Sequence, residues 1–152
     1  MRVMGIDIGS KTIGVAVSDG MCLTAQGIKV IKRKGINRDI EEVLNLAGEY
    51  AVNKIVAGLP INMNGTIGKA AEGVLSFIGK LKKNTPLPVT TWDERLSTVA
   101  VTRVLLEGNV KRKKRKEVVD KMAAVYILQG YLDKRGKAGS PWSLAGHEVK
   151  DI

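Results

Sequence analysis

Three short apolar runs crowd the first 33 residues, and strand–helix alternation follows them; that order restricts the fold more than any other feature. The runs cover residues 3–7, 13–18 and 27–33. The segments between them are too short for crossovers, so they predict an antiparallel meander. Asn37 then offers a helix N-cap, with Asp39 and Glu41 in the first turn. Ile40, Val43, Leu44 and Ala47 follow at helical spacing. A strand over residues 54–57 ends at Gly58-Leu59-Pro60, and residues 62–68 read as a loop. A helix over 69–81 gathers Ala70, Val74, Phe77, Ile78 and Leu81 on one face. Pro86 and Pro88 fence a last strand at 89–92. Ser97 can cap a helix through Leu106 that Gly108 ends, and a final helix is expected over about 116–134. Such an order makes an α/β protein: one mixed five-stranded sheet with helices on both faces and right-handed crossovers. At 152 residues it is one domain. Residues 1–135 form that domain. The Gly136–Pro141 stretch breaks any further helix, so 136–152 is expected to be a flexible tail.

Single-residue counts exclude several chemistries. One cysteine, Cys22, allows no internal disulfide and no cysteine-based zinc cage. One histidine, His147, excludes HExxH sites and histidine pairs. The longest charge-free apolar run, 122–128, is far below the roughly 18 residues of a membrane span. Arg2 and Asp7 break any signal-peptide layout, so the expected compartment is the cytoplasm.

The formal charge is +10, from 25 Lys and Arg against 15 Asp and Glu. That surplus suits a polyanion, most simply nucleic acid. Residues 109–152 hold 11 basic and 5 acidic residues, so more than half of the surplus lies in less than a third of the chain. It peaks at Lys111-Arg112-Lys113-Lys114-Arg115-Lys116, read as a basic loop that stays mobile until an anion arrives. With six aromatic residues in all, phosphate contact is favoured over base stacking. A solvated patch that aids solubility is the plainer reading of the same run.

Three carboxylate positions could carry chemistry. Asp7 ends an apolar strand and precedes Gly9, where open α/β sheets place ligands; it could equally close an Asx turn onto the Gly9 or Ser10 amide. Asp93 and Glu94 end another strand, and alternation puts them on opposite faces without saying which one faces a site. They could also serve as an N-terminal charge pair ahead of Ser97. Asp120 has Ala123, Ala124 and Ile127 three, four and seven residues on, at or beside an apolar helix stripe. A carboxylate there needs a cation or a polar partner, or lies at the solvated edge of the stripe. Oxygen ligands from strand ends and a helix suit Mg²⁺ or Mn²⁺. Two such ions can serve phosphodiester hydrolysis without histidine or cysteine. Lys11 and Arg95, beside these carboxylates, are candidates for the scissile phosphate. Competing phosphate motifs fail. Gly9-Ser10-Lys11-Thr12-Ile13-Gly14 runs on into Val15-Ala16, not the Lys-Ser/Thr of a P-loop, and no GxGxxG occurs.

The opening string from Gly5-Ile6-Asp7-Ile8-Gly9-Ser10-Lys11-Thr12 to Ser18-Asp19 resembles the first motif of the YqgF family. Gly58-Leu59-Pro60 with Asn64-Gly65-Thr66, the string Asp93-Glu94-Arg95-Leu96-Ser97-Thr98, and Val119-Asp120-Lys121-Met122-Ala123-Ala124 resemble three further blocks of it. The resemblance covers roughly residues 2 to 134. Asn64 departs from the aspartate common there. The resemblance implies an RNase H-like fold with strand order 3-2-1-4-5 and catalytic, metal-binding carboxylates at Asp7, Glu94 and Asp120. It selects Glu94 over Asp93. It implies a nuclease using Mg²⁺ or Mn²⁺, with two ions expected, that acts on pre-16S rRNA or, alternatively, on Holliday junctions. Gly9, Lys11, Arg95, Lys113, Lys114 and Arg115 are the expected substrate-binding residues. Two other classes remain. One is a kinase- or actin-like ATPase, which would need a second such domain; the other is a nucleic-acid-binding module without catalysis.

Overall fold

The computed structural model describes residues 1–96 and 112–138, with side chains at 1–96 and 121–135. The elements are β1 (Val3–Ile8), β2 (Thr12–Ser18), β3 (Ala25–Lys32), α1 (Ile36–Glu49), β4 (Lys54–Leu59), α2 (Lys69–Lys83), β5 (Val89–Asp93), a 3-10 turn (Glu94–Leu96) and α3 (Arg112–Ala138). The five strands form one sheet in the order β3-β2-β1-β4-β5. β1, β2 and β3 pair antiparallel, whereas β4 and β5 run parallel to β1. The mixed sheet and the meander expected from the sequence are both present.

Period-two alternation sends residues to two cores. Met4, Ile6, Ile13, Val15, Ile55 and Ala57 pack on one face with Val43 of α1 and with Val74, Phe77 and Leu81 of α2. Val3, Ala16, Val56 and Trp92 pack on the other with Ala123, Ala124, Ile127 and Leu128 of α3. A Cβ on Gly5 would stand 2.7 Å from the Leu128 Cβ and 3.2 Å from the Ala124 carbonyl. The bare glycine backbone therefore lets α3 lie close against β1. Among the described residues no helix is long and apolar enough to cross a membrane.

Several boundaries differ from expectation. β4 continues through Gly58 and Leu59, because both pair with β5 across from Trp92 and Asp93. α1 starts after Gly35 rather than after an Asn37 cap, with no side-chain cap bond. Ala71, not Ala70, faces the core from α2. Lys113, Lys114 and Arg115 lie in α3 and not in a loop. Lys and Arg are good helix formers, and like-charge repulsion at i,i+4 costs only about 0.2–0.5 kcal/mol per pair, too little to prevent the helix. α3 also runs through Gly136 to Ala138. One glycine near the end of a helix costs about 1 kcal/mol, so it does not act as a stop. The helix expected from Ser97 to Leu106, and the tail beyond 138, lie outside the described residues.

Candidate active site

β1, β4 and β5 are parallel, so their carboxyl ends share one edge of the sheet. Asp7 lies in the last turn of alternation of β1, on the face of Val3 and Gly5 that α3 covers, and is 5% exposed. Glu94 follows the last residue of β5 and is 8% exposed. Two strand spacings, about 9.6 Å in total, separate β1 from β5, so a side chain must reach across β4 for the two carboxylates to meet. Gly58 opens that path. A Cβ at Gly58 would collide with the Ile127 Cδ1 and stand 2.8 Å from the Glu94 Oε2. The Glu94 carboxylate therefore occupies the hollow that a larger residue would fill, above β4 and on the side of Asp7. Asp7 and Glu94 are both buried at this edge, and carboxylate oxygens are donors that suit a hard divalent cation. Both make contacts within the free protein.

Asp93 is occupied elsewhere. Arg95 Nη2 donates to its Oδ2 at 2.8 Å, Nε donates to both oxygens at 3.1 Å, and the Arg95 amide donates to Oδ1 at 2.9 Å. These bonds hold the Asp93 carboxyl below the usual aspartate range and raise the Arg95 guanidinium. The 3-10 turn is what separates the roles: Asp93 stays with Arg95 while Glu94 turns over β4. Alternation alone left that choice open.

Lys11 is exposed at the tip of the β1–β2 turn. The Gly9 amide donates to the Thr12 carbonyl at 2.8 Å and closes the turn. Gly9 thus shapes the turn with its amide rather than presenting that donor to a ligand. Asp120 belongs to α3, one turn ahead of the buried Ala123 and Ala124; its side chain, with those of Lys113, Lys114 and Arg115, lies outside the described ones. α3 runs so that Ala124 and Leu128 stand over Gly5. Asp120 lies one turn ahead of Ala124 along α3 and Asp7 two residues beyond Gly5 along β1, each a step of about 6 Å. Among the described residues no three metal-capable side chains cluster, a set that excludes Asp120.

Sequence reasoning missed two residues beside this edge. Arg33 Nη1 donates to the Gly9 carbonyl at 2.9 Å, and its Nε donates to the Asp39 Oδ2 at 2.9 Å. In sequence Arg33 closes the third apolar run, 27–33, and nothing local marks it as a partner of Gly9.

The family model for RuvX, described as Holliday junction resolvase, matches residues 1–134. The chain belongs to the RuvX family. Curated relatives of this RuvX chain carry the name pre-16S rRNA nuclease. One from Clostridioides difficile (strain 630) is 61% identical over 132 residues, covering 87% of this chain and 94% of the relative. Another, from Desulforamulus reducens, is 54% identical over 137 residues, covering 90% and 100%. Among solved structures, T. thermophilus RuvC in complex with a Holliday junction substrate superposes with a TM-score of 0.61 at 16% identity, covering 91% of this chain and 97% of that one. At that identity the likeness shows the fold, which is RNase H-like, as the sequence resemblance implied.

Proposed function

We propose that this RuvX chain is a divalent-metal-dependent nuclease that hydrolyses phosphodiester bonds of structured RNA, in the maturation of the 16S rRNA precursor in the cytoplasm. The observation that carries the reading is the Glu94 carboxylate seated over Gly58, at the edge where Asp7 is the last residue but one of β1. The names of the curated relatives support the choice of substrate.

Asp7, Glu94 and Asp120 are the residues that would hold Mg²⁺ or Mn²⁺, with two ions expected. Bound there, the metal would supply charge for the attacking water and for the leaving oxygen. The protein's own part is positioning. α3 and the sheet bury Asp7 and Glu94, so a bound cation would offset the cost of placing their charges there. Lys11 extends from the turn two residues after the metal edge and binds a substrate phosphate as a point charge. Arg95 holds its guanidinium plane against Asp93 and presents its outer face to the phosphate beside Glu94. The basic first turns of α3, with Lys113, Lys114 and Arg115, dock the nucleic-acid backbone near Asp120. Gly9 contributes the shape of the turn.

The test is cleavage with Mg²⁺ or Mn²⁺ of an RNA carrying the 5′ precursor segment of 16S rRNA, beside a four-way DNA junction. Metal-dependent cutting of the RNA with the junction left intact is expected. Cutting of the junction alone would assign the chain the resolvase activity in its family's description. Neither substrate cut, but both bound, would make it a binding module.

A further inference from the structure

Arg33 follows β3 at the carboxyl edge of the sheet, a quarter exposed, facing a carboxylate that is 1% exposed. It makes a linked set of contacts. Its Nε donates to the Asp39 Oδ2 and its Nη1 to the Gly9 carbonyl, both at 2.9 Å. The guanidinium carbon lies 5.5 Å from the centroid of the Phe77 ring, buried on α2. Its backbone amide donates to the Lys11 carbonyl at 2.9 Å. The second oxygen of Asp39 accepts the Lys34 amide at 2.9 Å. One residue thus holds two carbonyls of the β1–β2 turn, Gly9 and Lys11, and is itself held from behind by Asp39 and Phe77.

An ion pair serving only to tie β3 to α1 would end at Asp39. The additional bond to Gly9 reaches the residue two positions after Asp7. A metal ligand tolerates misplacement of only about 0.5 Å before function suffers, and a strand end followed by an unsupported turn is a poor anchor for it. Lysine cannot replace this group, because a point charge cannot bridge Asp39 and Gly9 as the planar fork does.

We propose that Arg33, backed by Asp39, is a positioning residue for the reaction: it clamps the Gly9–Thr12 turn and so holds Asp7 in its cation-binding geometry and Lys11 at the phosphate. This rests on the reading of Asp7 as a metal ligand. Partners that orient metal ligands typically contribute about 10–100-fold to metal affinity or activity, and an effect of that size is expected here.

The experiment titrates Mn²⁺ into the full-length protein, following free Mn²⁺ by electron paramagnetic resonance. The variants are Arg33→Lys, Arg33→Gln, Asp39→Asn and, as a reference, Asp7→Asn. kcat and KM are measured on the same RNA. The expected result is a half-saturating Mn²⁺ concentration raised about tenfold or more in both Arg33 variants, with kcat reduced by a larger factor than KM for RNA is raised. Arg33→Lys keeps the charge beside Asp39 and guards against simple failure to fold; it should regain melting temperature over Arg33→Gln without regaining Mn²⁺ affinity. Loss of Mn²⁺ binding in Asp7→Asn with wild-type binding in Arg33→Lys overturns the role of Arg33 and leaves a structural ion pair. Wild-type Mn²⁺ binding in Asp7→Asn instead overturns the reading of the site itself.

Discussion

Gly58→Ala offers a sharp perturbation, since one methyl group meets two neighbours of different kinds. It would collide with the Ile127 Cδ1 and stand 2.9 Å from the Ile127 Cγ1 and 2.8 Å from the Glu94 Oε2. Overpacking a close-fitted core costs about 1–3 kcal/mol. For a chain of this size each kcal/mol lowers the melting temperature by about 2–4 °C. Ordinary contact begins at 3.4 Å, so Glu94 must retreat by about 0.6 Å, at the limit of tolerance of about 0.5 Å for a catalytic group. Misplacement of about 1 Å can cost about 10²-fold, so a loss of ten- to a hundredfold in kcat is expected. The two effects can be separated. Gly58→Ala with Ile127→Val removes the Cδ1, the worst of the collisions. Alone, Ile127→Val costs about 0.5–1.5 kcal/mol; combined with Gly58→Ala it should cost less than the sum, a favourable coupling. Activity should stay low, because the contact with Glu94 remains. Thermal melts and RNA cleavage rates on the four proteins of this cycle make the test. Full activity in Gly58→Ala, or its recovery in the double variant, would refute the idea that the glycine hollow exists to seat Glu94.

Further outcomes follow from the same geometry. Asp7→Asn should lose cleavage yet keep nucleic-acid affinity and a wild-type or higher melting temperature without metal, since it removes one of several mutually repelling carboxylates; loss of RNA binding in a filter assay would make Asp7 structural. Arg95→Ala should raise the Asp93 carboxyl toward its ordinary value, as followed by carboxyl NMR titration. Because the folded value is depressed, the pair contributes stability above the unfolded aspartate value near 3.9 and loses it as pH falls through the folded one. The gap in melting temperature between wild type and Arg95→Ala should therefore close in acid, and a gap that widens there would contradict the pairing. Replacing Lys113, Lys114 and Arg115 together by Ala should flatten the salt dependence of binding by about two to three units of log–log slope; an unchanged slope would move the docking surface to Lys32 and Lys34.

The architecture was legible where local chemistry and tertiary demand agree. The three crowded apolar runs gave the meander, and Val74, Phe77, Ile78 and Leu81 gave the buried face of α2. Edges were less legible. Gly58-Leu59-Pro60 looks like a stop, but pairing to β5 holds the first two residues in the strand. The basic run looked like a loop because its mutual repulsion is obvious in sequence, while the propensity of Lys and Arg for helix is quiet. At the site, Asp7 and Glu94 were visible as carboxylates after apolar runs, and the four-block resemblance chose Glu94. In the structure Asp93 pairs with Arg95, while Glu94 lies over Gly58. Arg33 and Asp39 were illegible as a pair: Asp39 reads as a first-turn helix acid and Arg33 as the end of the third apolar run. Only the folded sheet brings them to Gly9.

On the proposed function, Asp7, Glu94 and Asp120 share one divalent-cation site. Replacing Mg²⁺ by Fe²⁺ and adding ascorbate and peroxide cuts the polypeptide next to the bound ion, and mass spectrometry then maps the cuts. Fragments ending around residues 7, 94 and 120, all suppressed by excess Mg²⁺ and absent in Asp7→Asn, are the expected result. Cuts around 7 and 94 with none around 120, or cuts that persist in Asp7→Asn, would contradict it.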